Sequence, residues 1–201
     1  MFYLSVFLPL VSFFICMIFN KRIPDLKIEG LISLLMIICS LISLYLFFYV
    51  YHYGSDSPVT LGSWLTSGSF YIDWSLNYNS LSVLMVLVVN LVSTVVHIYS
   101  IGYMENDPKK IIFLGYLGLF TFFMLMLVTS SNLIQLFLGW EGVGLTSYLL
   151  IGFWNKKESA NKAALKAFII NRVGDFGFLL GIFSIFIVFG TVNFNEIFIL
   201  V

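Results

Sequence analysis

The chain has 201 residues, 60% of them hydrophobic and only 10% charged, with a mean hydropathy of +1.02. Soluble domains carry about 25% charged residues, so an ordinary soluble fold is excluded and an integral membrane protein is predicted. Ten acids balance ten bases, so net charge gives no pointer to a nucleic-acid partner, and none is expected.

Six apolar runs reach the length needed to cross a hydrocarbon core about 30 Å thick. They cover 2–19, 30–51, 81–101, 111–129, 133–153 and 164–190. The expected fold is therefore an all-α polytopic membrane protein of about six transmembrane helices, with 1–201 forming one transmembrane domain. The first run has no basic n-region and no A-x-A-like site after it, so it reads as an uncleaved spanning helix rather than a signal peptide. Cys16 and Cys39 both fall within apolar runs and read as small buried hydrophobes, not as a disulfide or metal site.

Between the second and third runs, in the segment SFYIDWSLN, Phe70, Ile72, Trp74 and Leu76 alternate with Tyr71, Asp73, Ser75 and Asn77. That period of two marks a strand with one buried face. Residues 59–65 have strand character too, and TSGS at 66–69 supplies a turn. A β-hairpin within 55–80 is predicted on the outer membrane surface, with Trp64 and Trp74 at the interface.

The bases sort by loop. Lys21, Arg22 and Lys27 occupy the first connection, Lys109 and Lys110 the third, and Lys156, Lys157 and Lys162 the fifth. The second connection, 52–80, holds only Asp56 and Asp73, and the fourth, 130–132, is uncharged. This alternation predicts that the basic loops face the cytoplasm or matrix and that the hairpin faces outward.

Within the fifth run, GWEGVGLTSYLLIGFW (139–154) carries one ionisable residue, Glu141. An acid at bilayer depth costs about 2.5–3.5 kcal/mol on insertion scales, so it reads as functional by default. Gly139, Gly142 and Gly144 would let neighbouring backbones approach or the helix loosen. On the sixth run Arg172 and Asp175 stand i,i+3, close enough to pair with each other, and counting 1.5 Å per residue puts them at the depth of Glu141. Lys162 and Lys166 precede them on the basic side, so a row Lys162, Lys166, Arg172, Asp175, Glu141 would step from the inner surface to the midplane. Titratable groups whose neighbours move suit proton transfer better than substrate binding. His97, in HIYSIGYM near the basic end of the third run, is a candidate relay. His52, at a helix end, carries no expected role.

Other motifs fail on context. Asp175-Phe176-Gly177 lies in a spanning run with no H-R-D segment or Gly-rich loop beside it, and the glycine-rich stretches lack the G-K-[ST] of a phosphate loop. Gly177 and Gly181 read as a helix-packing face. No His or Cys cluster suits zinc, haem or iron–sulfur, so no cofactor or metal is expected in this chain.

GWEGVGLTSYLLIGFW, then ANKAALKAFIINRVGDFGFLLG (160–181), closely resembles the antiporter-like subunit 5 of respiratory complex I, the NADH:quinone oxidoreductase. DWSLNYNSLSVLMVLVVNLVSTVVHIYSIGYMENDP (73–108) resembles the same family. The resemblance implies a proton-translocating component of the membrane arm, similar also to Mrp-type cation/proton antiporter subunits, which form the alternative function. It implies Glu141 as the membrane-embedded glutamate, Arg172 and Asp175 in its coupling network, and His97 as a histidine usual in mitochondrial versions. NADH, FMN, iron–sulfur clusters and quinone are expected elsewhere in such a complex. Lipids, other membrane-arm subunits and the remaining C-terminal part of subunit 5 are the expected partners. The family's chains are longer, and their partner lysine lies on a later helix absent here, so a fragment or a split subunit is implied. The expected location is the mitochondrial inner membrane, or alternatively a bacterial plasma membrane.

Overall fold

The computed structural model describes residues 2–19, 24–54, 58–67 and 70–201. Lys21, Arg22 and Asp56, and residues 68–69 of the expected turn, lie outside the described residues. The element order is α1 (Phe2–Phe19), α2 (Asp25–Tyr53), β1 (Val59–Ser67), β2 (Phe70–Leu76), α3 (Ser80–Tyr103), α4 (Lys110–Val128), α5 (Leu133–Ile151), α6 (Glu158–Phe189) and α7 (Phe194–Leu200). Among the described residues, α1 to α6 are each long and apolar enough to cross a membrane. The chain is a multi-pass helical membrane protein with one small antiparallel sheet. The short α7 was not expected, because seven residues following an apolar run leave no readable period.

Packing starts from a defect in α1. Pro9 has no N–H, so the Ser5 carbonyl one turn back loses its helical donor. Two other helices supply substitutes. Cys39 Sγ of α2 donates to Ser5 O at 3.1 Å, and Asn90 Nδ2 of α3 donates at 3.4 Å. Cys39 is thus a buried free thiol, as expected, but with a polar task as well. The other side of α1 admits α4 closely: a Cβ on Gly118 would lie 2.4 Å from Ser12 Oγ, and one on Gly115 would lie 2.9 Å from Cys16 Cβ. Helices α1 to α4 cluster on this basis, α5 adds onto α4, and α6 packs on α5.

The hairpin closes one end of the bundle. β1 and β2 pair antiparallel from Val59↔Leu76 to Ser67↔Phe70, with irregular register at Thr60/Gly62 and Ser63/Leu65. Ile72 and Leu76 are buried as the alternation predicts. Ser75 is buried too, against the alternation, because its N–H donates to Gln135 Oε1 of α5 and its hydroxyl meets that of Ser131. Asn132 caps α5 by accepting from Gln135 N at 2.8 Å, and its side-chain amide donates to Asp73 O at 2.9 Å. One residue therefore starts the helix and holds the sheet, and such a cap stabilises by about 1 kcal/mol. At the far end of α6, Gly190 takes a left-handed φ of 72°, which turns the chain so that Val192 O accepts from Leu133 N at 3.0 Å.

One sequence expectation is corrected. Gly177 and Gly181 pack against no helix among the described residues, for a Cβ at either would meet nothing within 4 Å there. α6 rests on its neighbours through Asp175, Phe178 and Ile182, and the glycines lie off that line on an exposed apolar face with Val173, Phe176 and Phe183.

Candidate functional site

Helix α5 is held against α4 by its glycines. A Cβ on Gly139 would lie 2.7 Å from the Leu127 backbone, and one on Gly142 would lie 2.1 Å from Phe123 Cδ1. With that face occupied, Trp140 and Glu141 are directed to α6. The helices run antiparallel, and their contacts step in order: Phe137 on Phe178 at 5.7 Å, Trp140 on Asp175, Glu141 on Arg172, Tyr148 on Phe168 at 5.5 Å.

At the centre of this seam Arg172 Nη1 lies 2.5 Å from Glu141 Oε1 and 3.7 Å from Asp175 Oδ2. Asp175 accepts instead from the Trp140 indole, Nε1 to Oδ1 at 2.8 Å. The guanidinium also rests 5.0 Å from the Phe168 ring centroid. Asp175 is buried and Glu141 mostly so, whereas half of the Arg172 side chain is open, in a groove walled by Phe168, Ile169, Val173 and Phe176. The site is one cation between two carboxylates, with the second carboxylate anchored by a neutral donor.

Of the residues singled out from sequence, Glu141, Arg172 and Asp175 meet here. Lys166 does not join them: it is exposed and makes no ion pair among the described residues. Lys162 pairs with Glu158 at 2.7 Å on the surface of α6. His97 is fully buried in α3, with α4 standing between it and α5. Trp140 was missed; its place beside Glu141 in G-W-E-G was the available signal. Among the described residues no group of three or more His, Cys, Asp or Glu is arranged to hold a metal ion.

A cavity of about 330 Å³ opens at the basic end of α4, α5 and α6, lined by Lys109, Tyr116, Tyr148, Asn155 and Asn161 among others. Tyr148 stands seven residues from Glu141, about 10 Å along the helix. Between them, the Asn171 amide lies 3.7 Å from where a Gly144 Cβ would be.

Comparison with known proteins gives two family matches. Residues 64–114 match the family described as NADH-ubiquinone oxidoreductase (complex I), chain 5 N-terminus, and residues 130–201 match NADH:quinone oxidoreductase/Mrp antiporter, TM. The second match contains Trp140, Glu141, Arg172 and Asp175, and the first covers most of the hairpin, α3 and the start of α4. The chain belongs to the complex I chain 5 family. It is 50% identical over all 201 residues to NADH-ubiquinone oxidoreductase chain 5 of Chondrus crispus, and 50% identical over 194 residues to NADH-quinone oxidoreductase subunit L of Rickettsia typhi. It covers 30% of the length of each, so this chain 5 family member spans under a third of the curated relatives it matches. Its fold is similar to a chain of the membrane-bound sulfane sulfur reductase, an archaeal respiratory membrane complex, with a TM-score of 0.83 over 97% of this chain and 39% of that one, at 22% identity.

Proposed function

We propose that the chain is the N-terminal part of a proton-translocating membrane-arm subunit of NADH:quinone oxidoreductase, in which Glu141 carries the proton and Arg172 controls it. One observation carries this reading: a single guanidinium lies within reach of two carboxylates, 2.5 Å from Glu141 and 3.7 Å from Asp175. With Arg172 on Glu141, the two side chains form an ion pair. A shift of Arg172 toward Asp175 leaves Glu141 without its cation in an apolar seam, where the neutral acid is favoured, and Glu141 takes up a proton. The return of Arg172 expels it. No electron moves in this cycle; NADH, FMN, iron–sulfur clusters and quinone belong to the rest of the complex.

The inner supply is the cavity at the basic end, which ends about 10 Å from Glu141. The outward step needs a further cation, because neither Lys162 nor Lys166 reaches the site. We infer that the remainder of subunit 5, on this polypeptide or another, covers the open side of Arg172 and brings a lysine near Glu141. On this reading the protein lies in the mitochondrial inner membrane or a bacterial plasma membrane, with the basic loops inside and the hairpin outside. The Mrp-type alternative is not favoured: the family matched at 130–201 spans both classes, but the two sequence relatives cited are subunits of NADH oxidoreductases.

The test is Glu141→Gln in the native assembly. Proton translocation should fall while NADH-driven electron transfer partly persists. Translocation at the unaltered rate would overturn the assignment, as would failure of the chain to co-migrate with NADH-oxidising activity on a native gel.

A further inference from the structure

A second titratable cluster lies on the far side of α4 from Glu141. His97 has no exposed surface. Its Nδ1 is 2.8 Å from the Ser93 carbonyl of its own helix, and a carbonyl only accepts, so Nδ1 carries the ring proton. That leaves Nε2 as a buried lone pair, and it has no hydrogen-bond partner among the described residues. The ring approaches the Leu114 carbonyl of α4 without making that bond. A proton added at Nε2 would face that carbonyl as an acceptor, which offsets part of the cost of placing a charge in an otherwise apolar wall.

The direction of access follows from the residues one turn inward. Lys110 Nζ, at the start of α4, lies 2.7 Å from Glu29 Oε1 and 3.9 Å from Asp25 Oδ2 of α2. Glu29 is 3% exposed, and its contact with Lys110 is an ion pair short of an aligned hydrogen bond. Two counts place this pair relative to His97. Lys110 precedes Leu114 by four residues, about 6 Å. On α2, Thr94 Oγ1 donates to Met36 O at 2.9 Å, which sets the register of α3 against α2. His97 is then level with the residue four positions after Glu29, again about 6 Å. The ion pair therefore lies about one turn nearer the basic-loop face than His97.

The groups facing His97 from the packed elements are few. At and inward of its level they are Glu29 and Asp25 on α2, Lys110 on α4, the Cys16 thiol on α1 and Glu105 in the α3–α4 loop, whereas Asp107 turns to Trp154 and Lys109 lines the cavity on the α5 side. On the outward side buried polar groups continue along the same face of α3, where Thr94 donates to Asn90 O and Asn90 is held by Cys39 and Ser5. Beside them Nδ1 is 3.3 Å from Ser93 Oγ, which meets Thr121 Oγ1 at 2.5 Å next to an apolar groove lined by Val89, Val92, Leu117 and Phe120.

The geometry points to a second proton-binding site, His97 Nε2, filled from the basic-loop face past the Glu29–Lys110 pair. The proton leaves a water at the mouth and binds the Nε2 lone pair, with no bond broken in the protein and no electron exchanged. The imidazolium then stands one turn from Glu29 and competes with Lys110 for it, so filling the site loosens the clasp between α2 and α4. The site is independent of the Glu141 cycle.

The test is hydrogen exchange at the imidazole carbon of His97, read by mass spectrometry across pH in the assembled membrane complex, with His52, exposed at the end of α2, as the reference. In the unaltered chain His97 should exchange about ten-fold more slowly than His52, and Lys110→Met should speed it about ten-fold with α3 backbone amide exchange unchanged. Glu29→Asp, which loosens the pair while keeping both charges, carries the same comparison if Lys110→Met fails to assemble. His97 exchange that is equally slow with and without the substitution marks a sealed structural histidine and overturns the proposal. A parallel rise in α3 amide exchange makes the pair a mere clip and overturns it as well. The readout needs no pumping, so its failure leaves the Glu141 assignment standing, and loss of that assignment leaves this site standing.

Discussion

Arg172 pairs first with Glu141 on the neighbouring helix, at 2.5 Å, and only second with Asp175 on its own helix, at 3.7 Å. The i,i+3 spacing makes the opposite order the natural expectation. Trp140 reverses it, because its indole N–H takes one Asp175 oxygen and leaves that carboxylate partly satisfied. The cation then goes to the acid with the greater need.

Arg172→Gln should therefore be the most damaging single change at the site, since it strands two carboxylates. Glu141→Gln with Arg172→Gln should be milder than the sum of the singles, with an interaction energy of about 0.5–3 kcal/mol. Assembly level on a native gel, measured for both singles and the double, checks this; strict additivity would show that the two side chains do not interact.

Trp140→Phe keeps the ring contact with Phe178 but removes the donor to Asp175. A hydrogen bond to a charged group contributes about 1.5–3 kcal/mol, so thermal unfolding should move to lower temperature. Asp175→Asn should make Trp140→Phe less costly, because a neutral acceptor loses less. An equal cost in both backgrounds would remove this bond from the account.

Asn90→Leu should destabilise the α1–α2–α3 junction by about 1 kcal/mol, in line with side-chain hydrogen bonds inside membranes. Pro9→Ala restores an N–H for the Ser5 carbonyl, so in that background the Asn90 penalty should shrink. Unfolding in mixed micelles of the four variants would show it; a penalty independent of Pro9 contradicts the link.

Gly139→Ala forces a Cβ to 2.7 Å from the Leu127 backbone and should cost about 1–3 kcal/mol by overpacking. Gly177→Ala meets nothing within 4 Å and should be neutral in residues 1–201 alone. The same Gly177 change should impair the full assembly if a further helix covers α6. Tolerance in both settings would argue that this face meets lipid.

Asp107 offers a pH test outside the spanning segments. The Lys109 N–H and then the Trp154 indole hold its carboxylate below the ordinary range, at 2.8 and 2.9 Å. A depressed folded value means that the contact is intact above the ordinary carboxyl range and is lost as pH falls through the lower folded value. Trp154 fluorescence should thus change with a midpoint below about 3.9, and Asp107→Asn should abolish that transition.

The sequence by itself determined the number of spanning helices, the hairpin and the depth of the three charges. Hydrophobic run length, the period of two in FYIDWSL and the 1.5 Å rise are local properties, and they need no knowledge of neighbours. The resemblance carried by GWEGVG and NRVGDFG reached the family from the same residues. What only the tertiary structure decided was partnership. Which acid Arg172 serves depends on the rotation of α5, set by Gly139 and Gly142 against α4, and on an indole that no charge count includes. The Glu29–Lys110 pair joins residues 81 positions apart, and the spare nitrogen of His97 shows only once Ser93 and Leu114 are placed around it. Depth along one axis is written in the chain; azimuth around each helix is fixed by packing, and it is azimuth that pairs charges.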